Sequence, residues 1–366
     1  MDCPYIPEIS SNEFFLRIRD TLRERRIPFS GSLELTWRCN LRCVHCYITA
    51  AESWAQVRRS HKELTTDEFC RVIDEVADEG CVWLLMTGGE PLLREDFWDI
   101  YLHAKRRGMM IVLFTNGTLV DEALAEKLSE WPPRRVEVTF YGRTQATYER
   151  VTGVQGSHAR CMRGIELLLR HDVPLQLKTM VMTLNKHELP AMESYAQSLG
   201  VEFRYDPTLN ACVDGSKAPL NYRLSPEEVV ALDVADPERL GEWRKFFERF
   251  LDVKVDRRAL FTCGAGITTF HVDAFGRLGI CMMVRNYTCD LREGSFRDGW
   301  RDYAREVHSK LVDEAYACQT CRLATVCRQC PGWSQMESGA DTVPVEYLCR
   351  ITHLRAQALG MAGDSI

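Results

Sequence analysis

An α/β fold is what this 366-residue sequence predicts, with a parallel sheet first and a small cysteine-rich domain after it. Two observations predict it. From about residue 32 to residue 207, strand-like runs alternate with helix-like ones, the pattern of parallel strands joined by crossover helices. From residue 261 onward, cysteines, glycines and short segments dominate, which suggests a fold held by metal rather than by a large apolar core.

Six strands are expected, at residues 33–37, 81–87, 109–115, 136–141, 175–182 and 201–205, several of them rich in β-branched or aromatic residues. Helices fill the gaps. Thr65 and Glu68 form a capping box that opens a helix ending near Gly80, and Gly108 and Gly200 sit where later helices should stop. Residues 209–260 read as a helical connector, with a second capping box at Ser225 and Glu228 and proline at the first helical position. The expected division is therefore an N-terminal segment (1–30), the βα region (31–210), the connector (211–260) and the cysteine-rich domain (261–366). No internal repeat or low-complexity linker interrupts it.

A formal charge of -6 and a pI near 5.9 give no electrostatic reason to expect nucleic acid or an anionic membrane as a partner. The N-terminus lacks a signal peptide, and no run approaches the ~20 apolar residues of a membrane span, so the cytoplasm is the expected location. Sixteen cysteines in a cytoplasmic chain point to metal or redox work rather than to disulfides.

Cys39, Cys43 and Cys46, spaced CxxxCxxC, supply three thiolates for a cubane iron-sulfur cluster and leave its fourth iron open to another donor. The alternative is a zinc loop, which more often pairs two CxxC units. This triplet resembles the signature of the radical S-adenosylmethionine (SAM) enzymes. The resemblance implies a partial, TIM-like (β/α)6 barrel whose reactive groups gather at the C-terminal ends of the strands. It implies that SAM chelates the open iron and is cleaved reductively to a 5'-deoxyadenosyl radical.

The strand-end motifs fit that resemblance. Gly88 and Gly89 let backbone approach a ligand, and the Glu90 carboxylate can accept hydrogen bonds from an ammonium; in the family this Gly-Gly-Glu contacts the SAM amino group. Thr139 ends the fourth strand where the family commonly has a serine that reaches the SAM ribose, although sheet propensity alone also selects threonine. Asn116 ends the third strand as a SAM contact or a turn residue. Lys178, Arg204 and Asp206 face either the barrel mouth or an ordinary ion pair. Tyr47 takes the place of the family's aromatic residue near adenine, and shielding the cluster would also select it. His45 reads as a neighbour of the cluster, not an iron ligand.

Cys263, Gly276, Cys281, Cys318, Cys321, Cys327, Cys330 and Cys349 carry the spacing of the SPASM extension, which holds auxiliary iron-sulfur clusters. The resemblance assigns Cys318, Cys321, Cys327 and Cys349 to one auxiliary cluster and Cys263, Cys281 and Cys330 to the other. Two departures stand out. The last spacing is x2 instead of the usual x3, and no further cysteine lies between Cys263 and Cys281. The second auxiliary cluster is therefore left with three thiolates, with Cys289 the nearest spare. A zinc ribbon is the alternative for Cys318 to Cys330. Cys3, Cys70, Cys81, Cys161 and Cys212 read as buried or incidental thiols, Cys212 alone lying near the motifs.

The resemblance thus implies a radical SAM/SPASM oxidoreductase with three four-iron clusters. Its favoured substrate is a ribosomally made precursor peptide in which a thioether, carbon-carbon or related crosslink is formed. Its partners would be an electron donor such as flavodoxin or ferredoxin and, since few residues precede the first strand, a separate leader-binding protein. The alternatives are a small-molecule radical SAM enzyme acting on a tetrapyrrole or sugar, and a non-catalytic electron carrier.

Overall fold

All six expected strands form, with ends shifted by a few residues: β1 (Ser30–Thr36), β2 (Trp83–Gly88), β3 (Met110–Thr115), β4 (Arg135–Thr139), β5 (Leu175–Met180) and β6 (Glu202–Asp206). Each pairs in parallel with the next in the computed structural model, which describes residues 11–48 and 62–361. Cys3 lies outside the described residues. Helix α1 (Ser11–Glu24) precedes the sheet, and α2 (Thr66–Asp78), α3 (Phe97–Arg106), α4 (Glu122–Glu130), α5 (Gln145–Thr152), α6 (Ser157–Arg170) and α7 (Leu189–Ser198) cross between its strands.

Local chemistry sets these elements. In α2 both halves of the capping box are made, and Phe69, Val72, Ile73 and Val76 recur at the three-to-four spacing that buries one helix face. Leu33 and Leu35 of β1, Leu84 and Met86 of β2, and Ile111 and Leu113 of β3 bury the matching strand surface. The second expected capping box also forms, at the start of α8 (Pro226–Ala235), followed by α9 (Pro237–Phe250).

The sheet does not stop where the sequence suggests. Strand β7 (Thr269–Val272) adds in parallel to the free side of β1, and β8 (Arg277–Gly279) and β9 (Thr288–Asp290) follow antiparallel, giving the order β6-β5-β4-β3-β2-β1-β7-β8-β9. Phe261, Phe270, Leu278, Ile280, Phe296 and Trp300 join the same apolar core as the βα units. Residues 261–312 are thus held largely by burial, contrary to the expectation of a metal-held fold, because most of their large apolar groups, Leu311 excepted, pack into that core. A metal-dependent fold suits only the region beyond them. There a separate small core unites Phe247 of α9 with Leu323, Val326, and Ala356 of α11 (Glu346–Ala358), with α10 (Pro331–Ser338) before it.

The β1–β7 seam is tight. A Cβ on Gly31 would lie 2.0 Å from the Phe270 ring, and Phe270 in turn packs edge-on against Phe296 at 4.8 Å between ring centres. Among the described residues no helix is long and apolar enough to cross a membrane. Gly31→Ala is expected to cost about 1–3 kcal/mol through overpacking, read as a lower guanidinium unfolding midpoint under anaerobic conditions; an unchanged midpoint would show that the seam can yield.

Candidate active site

The C-terminal ends of β1 to β6 surround one cavity of about 330 Å³. Cys39, Cys43 and Cys46 reach it from the loop after β1. That loop is pinned by backbone bonds from Arg42 N to Thr152 O (2.8 Å) and from Val44 N to Val151 O (3.0 Å) on α5. Asn116 Nδ2 donates to Asn40 Oδ1 at 2.8 Å and approaches Cys39 Sγ at 4.0 Å, while Asn40 Nδ2 donates to Thr118 Oγ1 at 2.8 Å. Asn116 therefore both borders the cavity and braces the thiol loop.

Gly88 and Gly89 line the cavity because nothing larger fits. Gly88 has φ of 131°, and a Cβ there would stand 2.2 Å from Thr36 O; on Gly89 it would stand 2.3 Å from Arg38 O. Glu90 behaves differently from expectation. Its carboxylate is fully buried and accepts from Thr115 Oγ1 (2.8 Å), Asn116 N (2.7 Å) and Leu92 N (3.2 Å). Burial pushes its pKa up to about 7 despite those donors. Glu90 thus ties the end of β2 to that of β3, and the cavity-facing part of the motif is the backbone at Gly88 and Gly89.

Strand register brings three separately noted residues together. Thr139 on β4 pairs with Lys178 on β5, which pairs with Arg204 on β6, and all three line the cavity. Lys178 also meets the alternative reading, since its Nζ lies 3.5 Å from Glu137 Oε2; burial and the nearby Arg204 hold its pKa well below the usual lysine value against the pull of Glu137. Asp206 borders the same space.

Burial pushes Cys39 up to about 12 and Cys43 well above the ordinary thiol value, and the neighbouring thiols push both further, so a cationic partner is what would make them thiolates. Leu41 N donates to Cys39 Sγ at 3.4 Å. His45, buried with an unpartnered Nδ1 and a pKa lowered to about 4 by burial, packs edge-on against Tyr141 at 4.6 Å. Cys318, Cys321, Cys327 and Cys349 line a second cavity of about 440 Å³, where Thr352 Oγ1 and Gln329 N each donate to Cys327 Sγ at 3.4 Å. Cys281 is pushed up to about 11 by burial and by Cys330 and Cys263, which stand beside it.

All three sets suit an iron-sulfur cluster: grouped sulfur donors, with a backbone or hydroxyl donor on Cys39, Cys281 and Cys327. Among the described residues no group of three His, Cys, Asp or Glu side chains is placed to hold a single metal ion. Cys289 lies on β9. Its Sγ packs at the Gly299 backbone, where an added Cβ would meet it at 3.0 Å, and its charged neighbour is Asp290. Cys212 Sγ donates to Cys46 O at 3.1 Å, bracing the thiol loop from behind β6.

Sequence reasoning missed Glu34. Fully buried on β1, it receives Arg285 Nη2 at 2.5 Å and Nη1 at 3.1 Å, Trp37 Nε1 at 2.7 Å and Tyr47 Oη at 3.2 Å. His271 on β7 lies 3.6 Å away and also meets Arg285 at 2.9 Å. Burial would raise the Glu34 pKa, yet Arg285 and His271 hold it well below the carboxylate range. Tyr47, which borders the cavity, is thereby fixed to the loop that follows Cys281. The one available signal was a charge between Leu33 and Leu35 in the first strand.

Residues 33–196 match the Radical SAM superfamily. The AdoMet-dependent heme synthase of Methanosarcina barkeri is 30% identical over 337 residues, spanning 86% of this chain and 94% of that protein. The chain belongs to the radical SAM superfamily. A PqqA peptide cyclase of Granulibacter bethesdensis is 30% identical over 173 residues, 47% of this chain and 45% of the cyclase. The structure of Streptococcus suis SuiB bound to precursor peptide SuiA superposes with a TM-score of 0.69 at 13% identity, covering 95% of this chain and 83% of SuiB. The cofactors of this radical SAM enzyme are SAM and a 4Fe-4S cluster, which when bound supplies the electron for SAM cleavage.

Arg285→Met leaves the Glu34 charge buried and unpaired, and is expected to destabilise the holoenzyme by about 3–5 kcal/mol. Adding Glu34→Gln should recover more than half of that loss in anaerobic denaturation. Additive losses in the double variant would mean that the two side chains are not coupled.

Proposed function

We propose that this enzyme oxidises a ribosomally made peptide, removing hydrogen from a residue so that a thioether, carbon-carbon or related crosslink forms. The single observation that carries this reading is the shared cavity, in which the three thiols, the Gly88–Gly89 backbone and the Thr139–Lys178–Arg204 row face one space. In this reading Cys39, Cys43 and Cys46 hold the SAM-binding cluster. Gly88 and Gly89 take the SAM ammonium on their backbone, with Glu90 holding that backbone in place. Tyr47 borders the adenine, Thr139 the ribose, and Arg204 a carboxylate. Cys318, Cys321, Cys327 and Cys349 hold one auxiliary cluster, and Cys263, Cys281 and Cys330 the other.

The size of the cavity favours a slender substrate group. At about 330 Å³ it stands at the low end of the roughly 300–1,000 Å³ typical of ligand pockets. That volume must hold SAM as well as whatever part of the substrate reaches it. PqqA peptide cyclases and SuiB, the latter seen with its precursor peptide, support a peptide. A leader-binding protein and a flavodoxin or ferredoxin donor in the cytoplasm complete the proposal.

A second reading, a tetrapyrrole substrate, is favoured by the heme synthase that matches over most of the chain. A propionate arm is also slender, and Lys178 and Arg204 would meet its carboxylate. Anaerobic 5'-deoxyadenosine formation separates the two readings. Peptides encoded beside the gene should stimulate it and, when deuterated at the reacting residue, pass the label into 5'-deoxyadenosine. Stimulation by iron-coproporphyrin III and by no peptide would establish the second reading instead.

Reconstituted enzyme should bind about twelve irons, and replacing Cys39, Cys43 and Cys46 with alanine should leave about eight and abolish SAM cleavage. A variant that still forms 5'-deoxyadenosine would refute the assignment.

A further inference from the structure

A file of aromatic rings leads away from the active-site cavity. His45 and Tyr141 both line that cavity and pack edge-on at 4.6 Å between ring centres. Tyr141 then meets Tyr148 of α5 at 6.2 Å, and Tyr148 meets His158 of α6 edge-on at 5.5 Å. Each step lies within the roughly 4.5–7 Å of aromatic rings in contact. His158 is half-buried and stands beside the exposed Arg143, so the file runs from the cavity to the protein surface.

The same file carries polar atoms that packing alone does not explain. Seven buried side-chain polar atoms make no hydrogen bond among the described residues, and His45 Nδ1, Tyr148 Oη and His158 Nε2 are three of them. Tyr148 is wholly buried, and the Cys161 thiol beside its hydroxyl donates instead to Thr139 O at 3.8 Å. A phenylalanine would fill the same space without the cost of an unsatisfied hydroxyl. What the tyrosine adds is therefore an O–H bond and not shape. At the cavity end, the Tyr141 hydroxyl stands beside Thr139, which borders the SAM ribose in the reading above.

An adenosyl radical that finds no substrate hydrogen takes one from the site around it, and excluding such side reactions falls to the protein. A phenolic O–H bond is weaker than the C–H bond formed at the 5' carbon, so transfer from tyrosine is downhill, and the phenoxyl left behind spreads its electron over the ring. We propose that Tyr141 and Tyr148 form a quenching relay that discharges the 5'-deoxyadenosyl radical when no substrate is bound. The Tyr141 O–H bond breaks and the C–H bond of 5'-deoxyadenosine forms, leaving a Tyr141 phenoxyl. Tyr148 returns an electron and a proton to Tyr141 and becomes the phenoxyl. One electron from the enzyme's reductant, with a proton from water at the His158 end, then restores Tyr148. The inference rests on the SAM-site reading made above and not on the identity of the substrate.

Cluster-loaded enzyme, reduced with dithionite and given SAM in deuterium oxide without substrate, tests it. Phenolic hydrogen exchanges with solvent and carbon-bound hydrogen does not, so the 5'-deoxyadenosine should carry deuterium at the 5' carbon. Tyr141→Phe keeps the ring and removes the donor, and its product should lose that label; the labelled fraction is a ratio and does not depend on the rate of SAM cleavage. Tyr148→Phe should keep the label and strand the phenoxyl on Tyr141, giving a stronger radical signal in paramagnetic resonance, narrowed by ring-deuterated tyrosine, and oxidised Tyr141 in digests. Unlabelled product from the wild type, or a label that survives Tyr141→Phe, overturns the relay. So does a Tyr148→Phe enzyme with no gain in radical signal, which decides the matter if Tyr141→Phe fails to load iron. Wild-type enzyme that forms no 5'-deoxyadenosine at all would instead refute the SAM-site reading, and the relay with it.

Discussion

The carboxylate of Glu34 is the constraint on which the arrangement of sites depends. A buried negative charge is tolerable only when it is paired and hydrogen-bonded, and Glu34 draws its partners from three parts of the chain. Trp37 and Tyr47 flank the first thiol set, His271 comes from β7, and Arg285 from the loop after Cys281. Satisfying that one charge fixes the first thiol set relative to the second. The separation between them, which governs any electron passing from one to the other, is therefore set by a buried ion pair as well as by the sheet.

The sheet supplies the rest of the rigidity. Because β7 continues the parallel array at the side of β1, the cysteine-rich region is not an appended module but partly an extension of the barrel. Its first half borrows the barrel's apolar core through Phe270, Phe296 and Trp300. Its second half has a small core of its own, supported by the Asp233 carboxylate between Arg239 and Arg355.

Charge at the active site is arranged by strand register. Lys178 and Glu137 sit as a buried pair beneath the cavity, and Arg204 stands beside them. Glu90 is kept away from the cavity by three donors, so the cavity wall shows backbone rather than a carboxylate at that point. The result is a cavity whose polar wall is cationic, apart from Asp206, around three thiols that want a positive partner.

The six strands and both capping boxes were legible in the sequence, because each is written in local patterns: β-branched runs, Thr65 with Glu68, and Ser225 with Glu228. The Thr139–Lys178–Arg204 row was visible only as three separate residues. Register between strands is a product of tertiary pairing, and no local pattern in these segments encodes it. Glu34 with Arg285, 251 residues apart in sequence, and the addition of β7 to β1 were likewise decided by the folded structure. In each case the energy resides in a long-range contact, whether a buried ion pair or the Phe270 ring over Gly31, and such a contact leaves no periodic trace in the residues that make it.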